Sequence, residues 1–284
     1  MPFTTGSQAC ASCASNAVRG SAAGLIAAIL TVVTLFALAG YQVTSEESGA
    51  RMLGRVGAAL IELDRWLPAH KDDIELLSRD RPNAPLVLPD LPFEVAIPST
   101  AASDANPETL RATITRAMGD QLYNEGSGAV RDEAGESHLD YTEPVRWTIN
   151  MLGDGAHAFW TLVLIIAGLS LLALCAGMIW TRQSPLMAIA AGGAIAALLS
   201  LVAWLGMQAL GSAMSGAIDK EIALVLRDGA WIGLRNGLAV VAMGLAAVFV
   251  FDNLFPRPEA NWDDWDEYEE GEEEFQAPMR PPPY

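Results

Sequence analysis

Three long apolar segments fill the second half of this sequence and constrain its fold more than any other feature. They cover residues 158–180, 186–210 and 230–251, and each carries at most one formal charge. A fourth such segment, residues 22–43, lies near the start. A helix of about 20 apolar residues crosses the hydrocarbon core of a bilayer with its backbone hydrogen bonds satisfied. The sequence therefore predicts four transmembrane helices.

The rest of the chain consists of loops and tails attached to these helices. The predicted organisation is an all-α integral membrane protein with a polar N-terminal segment, a first transmembrane helix, a small α-rich extramembrane domain, three further transmembrane helices and an acidic tail. Their boundaries are residues 1–19, 20–43, 44–155, 156–251 and 252–284. Burial of about a third of the residues in lipid accounts for an apolar content of 51%.

Acidic residues outnumber basic ones, with 34 Asp and Glu against 17 Lys and Arg and a net charge of −17. The excess lies in the loop after the first transmembrane helix and in the tail. Nucleic-acid binding requires basic surface that neutralises phosphates, so this balance argues against nucleic acid as a partner. It equally disfavours polybasic docking on anionic membranes.

The extramembrane domain is predicted to contain two amphipathic helices joined by an extended strap. Apolar residues recur at helical spacing over residues 52–67, and Pro68 is expected to interrupt that helix. The strap, residues 81–98, is rich in proline, with a short strand at Phe93–Ile97. The second helix is expected to begin at Asn106 with an N-cap and to end at Gly126 and Gly128. It is expected to bury one narrow stripe formed by Leu110, Ile114, Met118 and Leu122.

Small residues indicate where the transmembrane helices pack, because helices associate in lipid through close backbone approach. Gly20 and Gly24 give the first helix a small-xxx-small spacing, and Gly192 and Gly193 lie in the alanine-rich third helix. That third helix is predicted to be the buried centre of a four-helix bundle. Residues 211–228 are amphipathic and are expected to lie along the membrane surface.

Charges beside the first helix predict its orientation. Arg19 precedes it, and Glu46 and Glu47 follow it, which favours a cytoplasmic N-terminus and, after four crossings, a cytoplasmic C-terminus. The basic residues between the third and fourth helices oppose this orientation. The first helix is expected to be an uncleaved signal anchor, although Ala37–Ala39 resembles a signal-peptidase site. The expected location is the plasma membrane of the cell, as a multi-pass protein.

No catalytic, cofactor-binding or metal site is predicted, and no cofactor is expected. Cys10 and Cys13 form a CxxC pair, but zinc and cluster sites need further ligands that the neighbouring sequence lacks. Cys175 suits a small apolar position within the second transmembrane helix. Carboxylates near His138–Glu143 leave surface enzymology as a minor alternative.

Arg235 is the one ionisable residue within a predicted transmembrane helix. Intramembrane charges commonly mark transport paths, so a small channel or permease component is the alternative function. An arginine about five residues into a helix can also extend its head group to the membrane surface.

The tail alternates acids with aromatic residues over Asn261–Phe275. Such a segment is expected to be disordered alone and to bind a partner through its aromatic side chains, Trp262, Trp265, Tyr268 and Phe275. The chain ends in Pro281–Tyr284, which resembles the PPxY ligand of WW domains, so Tyr284 is a further candidate.

These features favour a non-enzymatic membrane protein that acts as a scaffold, assembly or sensory subunit of a membrane complex. Its expected partners are the lipid bilayer and other membrane or cytoplasmic proteins bound through the tail.

Overall fold

The computed structural model describes residues 6–81, 84–88, 91, 95–102, 106–126, 142–181 and 183–254, and this part of the chain is mostly helical. Its elements are α1 (Gly6–Val43), α2 (Glu46–Leu60), α3 (Leu63–Asp80), β1 (Leu86–Val87), β2 (Ala96–Ile97), α4 (Ser99–Ala102), α5 (Pro107–Glu125), α6 (Thr142–Leu152), α7 (Asp154–Trp180), α8 (Leu186–Ala213) and α9 (Ala217–Leu254). The chain divides into two compact units, Met1–Leu245 and Ala246–Tyr284. Every contact described below lies within the first.

Four of these helices are long and apolar enough to cross a membrane, which confirms the predicted helical membrane architecture in outline. The candidate spans are Ala22–Val43 in α1, Asp154–Trp180 in α7, Leu186–Ala213 in α8 and Ala217–Val250 in α9. Large apolar side chains cover their outer surfaces, as with Leu172, which is 67% exposed. In a bilayer such side chains contact lipid tails instead of water, so their position on the outer surface carries no hydrophobic cost.

Helix α1 contacts all three other spans. Gly40 lies against the ring of Trp160 in α7. A Cβ added to Gly192 of α8 would lie 2.6 Å from the Ala28 carbonyl oxygen of α1. Gln42 Oε1 accepts a hydrogen bond of 2.8 Å from α9. The prediction of α8 as the centre of the bundle therefore needs correction, because α1 provides contacts to every span.

Helices α8 and α9 run antiparallel through small residues. A Cβ on Gly237 would lie 2.7 Å from the backbone nitrogen of Ala197, and one on Gly244 would lie 2.9 Å from Cβ of Ala190. The described part of α8 beyond Ser200 holds no buried residue. Only the first half of α8 is therefore enclosed by its neighbours.

The contacts between spans bring the domain-side end of α1 to the same level as residue 229 of α9. Gly229 of α9 lies beside the side chain of Val43, where α1 ends. Trp204 of α8 and Trp231 of α9 pair just below that level, with ring centroids 6.2 Å apart. From Val43 back to Gly24 is about 20 residues, or about 30 Å at the rise of an α-helix, which matches the hydrocarbon core.

The extramembrane domain is built on the crossing of α2 and α5. Their facing apolar stripes supply the most deeply buried side chains, each at most 2% exposed: Leu53, Val56, Ile114, Met118 and Leu122. α3, α6 and the antiparallel β1–β2 pair close this core with Leu63, Ile74, Ile97 and Ile149. Burial of these apolar groups is the main term that stabilises a domain of this size in water.

The helix predicted to end at Pro68 is interrupted earlier. α2 ends at Leu60, and Glu62 adopts a left-handed conformation with φ 47° before α3 begins. Pro68 lies inside α3, where its fixed φ suits a helix and its missing N–H removes one hydrogen bond. The turn at Glu62 lets Leu63 and Leu67 reach the same core as α2.

Residues 211–228 do not form one surface helix as the sequence predicts. They comprise the end of α8, a short connection and the first three turns of α9. Val225 is 3% exposed within the core of the extramembrane domain, and Ile218 packs against that core. The apolar face of this segment is therefore covered by protein, and α9 continues without a break into its candidate span.

The boundaries of α5 agree with the prediction. Asn106 Oδ1 accepts a hydrogen bond of 3.0 Å from the Glu108 backbone N–H, with Pro107 in the first helical position. Gly126, at φ 63°, ends the helix in the left-handed region that favours glycine. Of the predicted strand Phe93–Ile97, the last two residues form β2, and residues 92–94 lie outside the described part.

Candidate functional site

A charged cleft of about 1450 Å³ opens on the extramembrane domain between α2, α5 and the start of α9. Seven carboxylates line it together with six of the chain's 17 Lys and Arg residues: Arg51, Arg55, Arg65, Arg111, Arg116 and Lys220. The cleft is thus nearly neutral within a chain whose net charge is −17. Basic side chains are concentrated here, and both signs of charge are presented to solvent.

The amphipathic pattern of α2 produces one wall of this cleft. Leu53 and Val56 face the core, whereas Arg51 and Arg55 line the cleft one turn apart. Ala58 also lines it and leaves room beside the guanidinium groups.

Arg55 joins this wall to helix α9. Its Nε and Nη2 donate to Glu221 Oε2 at 3.1 and 2.8 Å, and its Nη1 donates to Asp228 Oδ2 at 3.3 Å. Arg227 Nη2 contacts the other carboxylate oxygen of Asp228 at 3.2 Å. The three bridging side chains, Arg55, Glu221 and Asp228, are 29–37% exposed. A partly exposed pair of this kind is worth about 1 kcal/mol or less, so the bridge can be broken by a competing ligand.

The other basic residues of the cleft differ from Arg55 in their partners. Arg51 pairs with Glu47, four residues away on α2, at 3.0 Å. Arg111 reaches Asp64 of α3 at 3.1 Å. Arg116 and Lys220 form no ion pair with any residue that the structure describes.

Below the cleft, a polar cluster ties α5 to the spans. The Tyr123 hydroxyl donates to the Thr44 carbonyl at 2.9 Å. Thr44 Oγ1 donates to the Gly40 carbonyl and lies 3.2 Å from His157 Nδ1, so we assign the proton of that contact to His157. Burial raises the pKa of the Tyr123 phenol above its ordinary value, and the negative charge of Asp154 adds to the shift.

The structure places the predicted packing residues in different surroundings. Gly192 contacts α1 as described above, and a Cβ on Gly193 would lie 3.0 Å from Val240 of α9. A Cβ on Gly24 would meet nothing within 4 Å. Gly20 lies within α1, in a part of the helix for which the structure describes the backbone only.

Arg235, the possible transport residue, is exposed on the surface of α9. Its neighbour Asn236 faces α1, donating through Nδ2 to Gln42.

Several predicted residues lie outside the described part of the chain. They are the aromatic candidates of the tail, Trp262, Trp265, Tyr268, Phe275 and Tyr284, and residues 138–141 of the segment His138–Glu143, whose last two residues begin α6. Cys10 and Cys13 fall in α1, and Cys175 is a partly buried free thiol in α7. Within the described ranges, no group of three His, Cys, Asp or Glu could hold a metal ion.

Sequence reasoning missed the bridge made by Arg55, because its acidic partners lie more than 160 positions away. One signal was available. Glu221 and Asp228 share a face with Val225 over two turns of a helix, which suits a segment that packs on the folded domain.

Comparison with known proteins adds no assignment to this geometry. No family model matches the sequence, and neither a curated protein nor a solved structure matches it.

Proposed function

We propose that this chain is a non-enzymatic, multi-pass protein of the plasma membrane that serves as a sensory or assembly subunit of a membrane complex. Its extramembrane domain faces outward, and both termini are cytoplasmic. The observation that carries the proposal is the position of Arg55, which lines the charged cleft and at the same time holds Glu221 and Asp228 of α9.

This geometry supports a sensor because the Arg55 side chain lines the cleft and also binds α9, so a ligand in the cleft can change how α9 is held. A charged segment of a partner that enters the cleft competes with Glu221 and Asp228 for the Arg55 guanidinium. Loss of that bridge weakens the attachment of α9 to the domain, and α9 is a single helix that continues into the membrane. A ligand shifts such an equilibrium by its differential affinity for the two states.

The partner expected in the cleft is a protein segment that carries both charges. Among the described residues Arg116 and Lys220 have no ion-pair partner, so they can take its carboxylates, and the acids of the cleft can take its basic groups. A second contact is proposed at the tail, where the chain leaves α9 with acids and aromatic residues from Asn261 to Phe275. The contact at the cleft senses a partner on the outer side, and the contact at the tail assembles proteins on the inner side.

The test compares Arg55→Ala with Arg51→Ala in the full chain. Both arginines line the cleft on α2, but only Arg55 reaches α9, whereas Arg51 pairs within its own helix. We expect Arg55→Ala to raise amide hydrogen exchange in residues 217–228 severalfold, and Arg51→Ala to leave it unchanged. Equal exchange in the two variants would remove the coupling on which the sensory role depends.

Partners are then recovered in mild detergent from the full chain, from Arg55→Ala and from a chain without residues 252–284. We expect the shortened chain to lose inner-side proteins and Arg55→Ala to alter recovery of an outer-side protein. If all three recover the same proteins in the same amounts, the proposed assembly role is wrong.

A further inference from the structure

A pair of tryptophans lies at the domain-side edge of the spans. Trp204 of α8 and Trp231 of α9 have ring centroids 6.2 Å apart, and Trp231 is 52% exposed. They lie just below the level at which Gly229 meets Val43. Tryptophan favours this depth because its ring is apolar and its N–H can reach the headgroup layer.

Arg235 lies one helical turn deeper on the same face of α9 as Trp231. It is exposed, and it forms no ion pair with any residue of the described chain. Asn236 donates to Gln42 of α1 at 2.8 Å, which fixes the side of α9 that faces protein. Leu238, 54% exposed, lies on the outer side with Arg235. The guanidinium is therefore directed toward lipid rather than toward a path between the helices.

A cation in this position needs an anionic partner. Leaving its charge in hydrocarbon without a partner is strongly unfavourable. Side chains of a helix lean toward its N-terminus, and the N-terminus of α9 is on the domain side. Arg235 therefore extends toward Trp231, about 6 Å nearer the membrane surface, where lipid phosphates lie.

We propose that Arg235, Trp231 and Trp204 form a binding site for the phosphate of a phospholipid in the domain-side leaflet. The planar guanidinium binds phosphate through two parallel hydrogen bonds, and the indole rings pack beside the glycerol and upper acyl chains. A phospholipid is favoured over an acidic residue of another membrane protein because the three side chains lie at headgroup depth and two of them are amphipathic rings. The site is independent of the cleft and of the proposed function.

The test measures phosphatidylglycerol binding to the full chain in detergent by native mass spectrometry. We expect Arg235→Leu to weaken binding of the tightest lipid about tenfold or more, which is about 1.4 kcal/mol. Arg235→Lys should bind with intermediate affinity because lysine offers phosphate a single charge without the paired donors. Trp231→Leu should weaken binding by a smaller factor.

Arg79→Leu is the control, because Arg79 is an exposed cation of α3 that lies outside both the cleft and the spans. It should leave lipid binding unchanged. Inorganic phosphate is added in a separate arm and should not displace the lipid. Displacement by inorganic phosphate, or equal lipid binding by Arg235→Leu and the wild-type chain, would overturn the site. So would unchanged lipid binding with loss of a co-purified membrane protein, since its acid would then be the partner of Arg235.

Discussion

Two helix pairs in this protein come together at glycine, one within the domain built on α2 and α5 and the other between two candidate membrane spans. In the extramembrane domain, a Cβ on Gly119 of α5 would collide with the Ala50 carbonyl oxygen of α2. In the spans, a Cβ on Gly237 of α9 would press on the Ala197 backbone of α8. Both crossings therefore exclude a side chain at the point of closest approach.

The two pairs differ in where their large apolar side chains lie. Beside the α2–α5 crossing, Ile114 and Met118 are fully buried. Beside the α8–α9 crossing, the buried positions of α8 are held by alanine, glycine and one serine, whereas Leu198 and Leu245 are more than half exposed. Water drives large apolar groups inward, but lipid accepts them, so helices in lipid associate through close backbone contact. Stability in the two regions therefore depends on different residues.

The largest loss of stability expected from this difference follows from opening a cavity in the domain core. Ile114→Ala should lower the free energy of unfolding of the domain by about 4 kcal/mol, because the buried side chain leaves a void. Leu162→Ala, at a position 58% exposed on α7, should change stability little because lipid fills the space. Denaturant unfolding of both variants in micelles checks the pair. Equal losses would mean that the spans also depend on large side chains.

A side chain at the membrane crossing should have the next largest effect. Gly237→Val should destabilise the α8–α9 contact by about 2 kcal/mol, because overpacking forces the backbones apart. Gly168→Val on α7 is the control, since a Cβ there meets nothing within 4 Å. The yield of a disulfide between cysteines introduced at Ala190 and Gly244, whose Cβ positions are in contact, measures the separation of the two helices. An unchanged yield in Gly237→Val would contradict the close approach.

The link between the regions at Tyr123 should contribute less. Tyr123→Phe leaves the buried Thr44 carbonyl without its donor and should cost about 1–2 kcal/mol. The raised pKa of Tyr123 means that the fold favours the neutral phenol, so this stabilisation is complete below pH 10.0 and is lost as pH rises through the higher pKa of the folded state. The unfolding temperature of the wild-type chain should fall between pH 8 and 11, and that of Tyr123→Phe should fall less. An undiminished alkaline decline in Tyr123→Phe would contradict this role of the phenol.

The polar contact inside the membrane should contribute least. A double-mutant cycle of Gln42→Leu and Asn236→Leu should give a coupling energy of about 0.6 kcal/mol, the average for hydrogen bonds between membrane helices. The cycle is measured by unfolding in mixed micelles. A coupling above about 2 kcal/mol would mean that polar groups, rather than glycines, hold α1 and α9 together.

The same contrast explains how much of the structure the sequence could predict. The spans could be predicted because about 20 consecutive apolar residues rarely form anything other than a transmembrane helix. Helix α5 could be predicted because Asn106 and Gly126 are local signals at its ends. The turn at Glu62 was not predictable, since its left-handed conformation follows from packing of Leu63 and Leu67 against a core formed by distant residues.

The candidate sites were less predictable than the spans. Glycine and alanine in α8 predicted close packing, but they could not identify its neighbours. The cleft depends on the fold bringing Arg55 of α2 and Glu221 of α9 together across 166 positions. Arg235 was recognised as unusual from composition alone, but its direction depends on the contact of Asn236 with α1.

The bridge at Arg55 also makes the protein responsive to the ionic medium around it. Its three side chains are about a third exposed, so dissolved ions reach them and weaken their attraction as ionic strength rises. At low ionic strength the Arg55 bridge contributes most to the attachment of α9 to the domain. At high ionic strength that contribution decreases, while the apolar core stays intact.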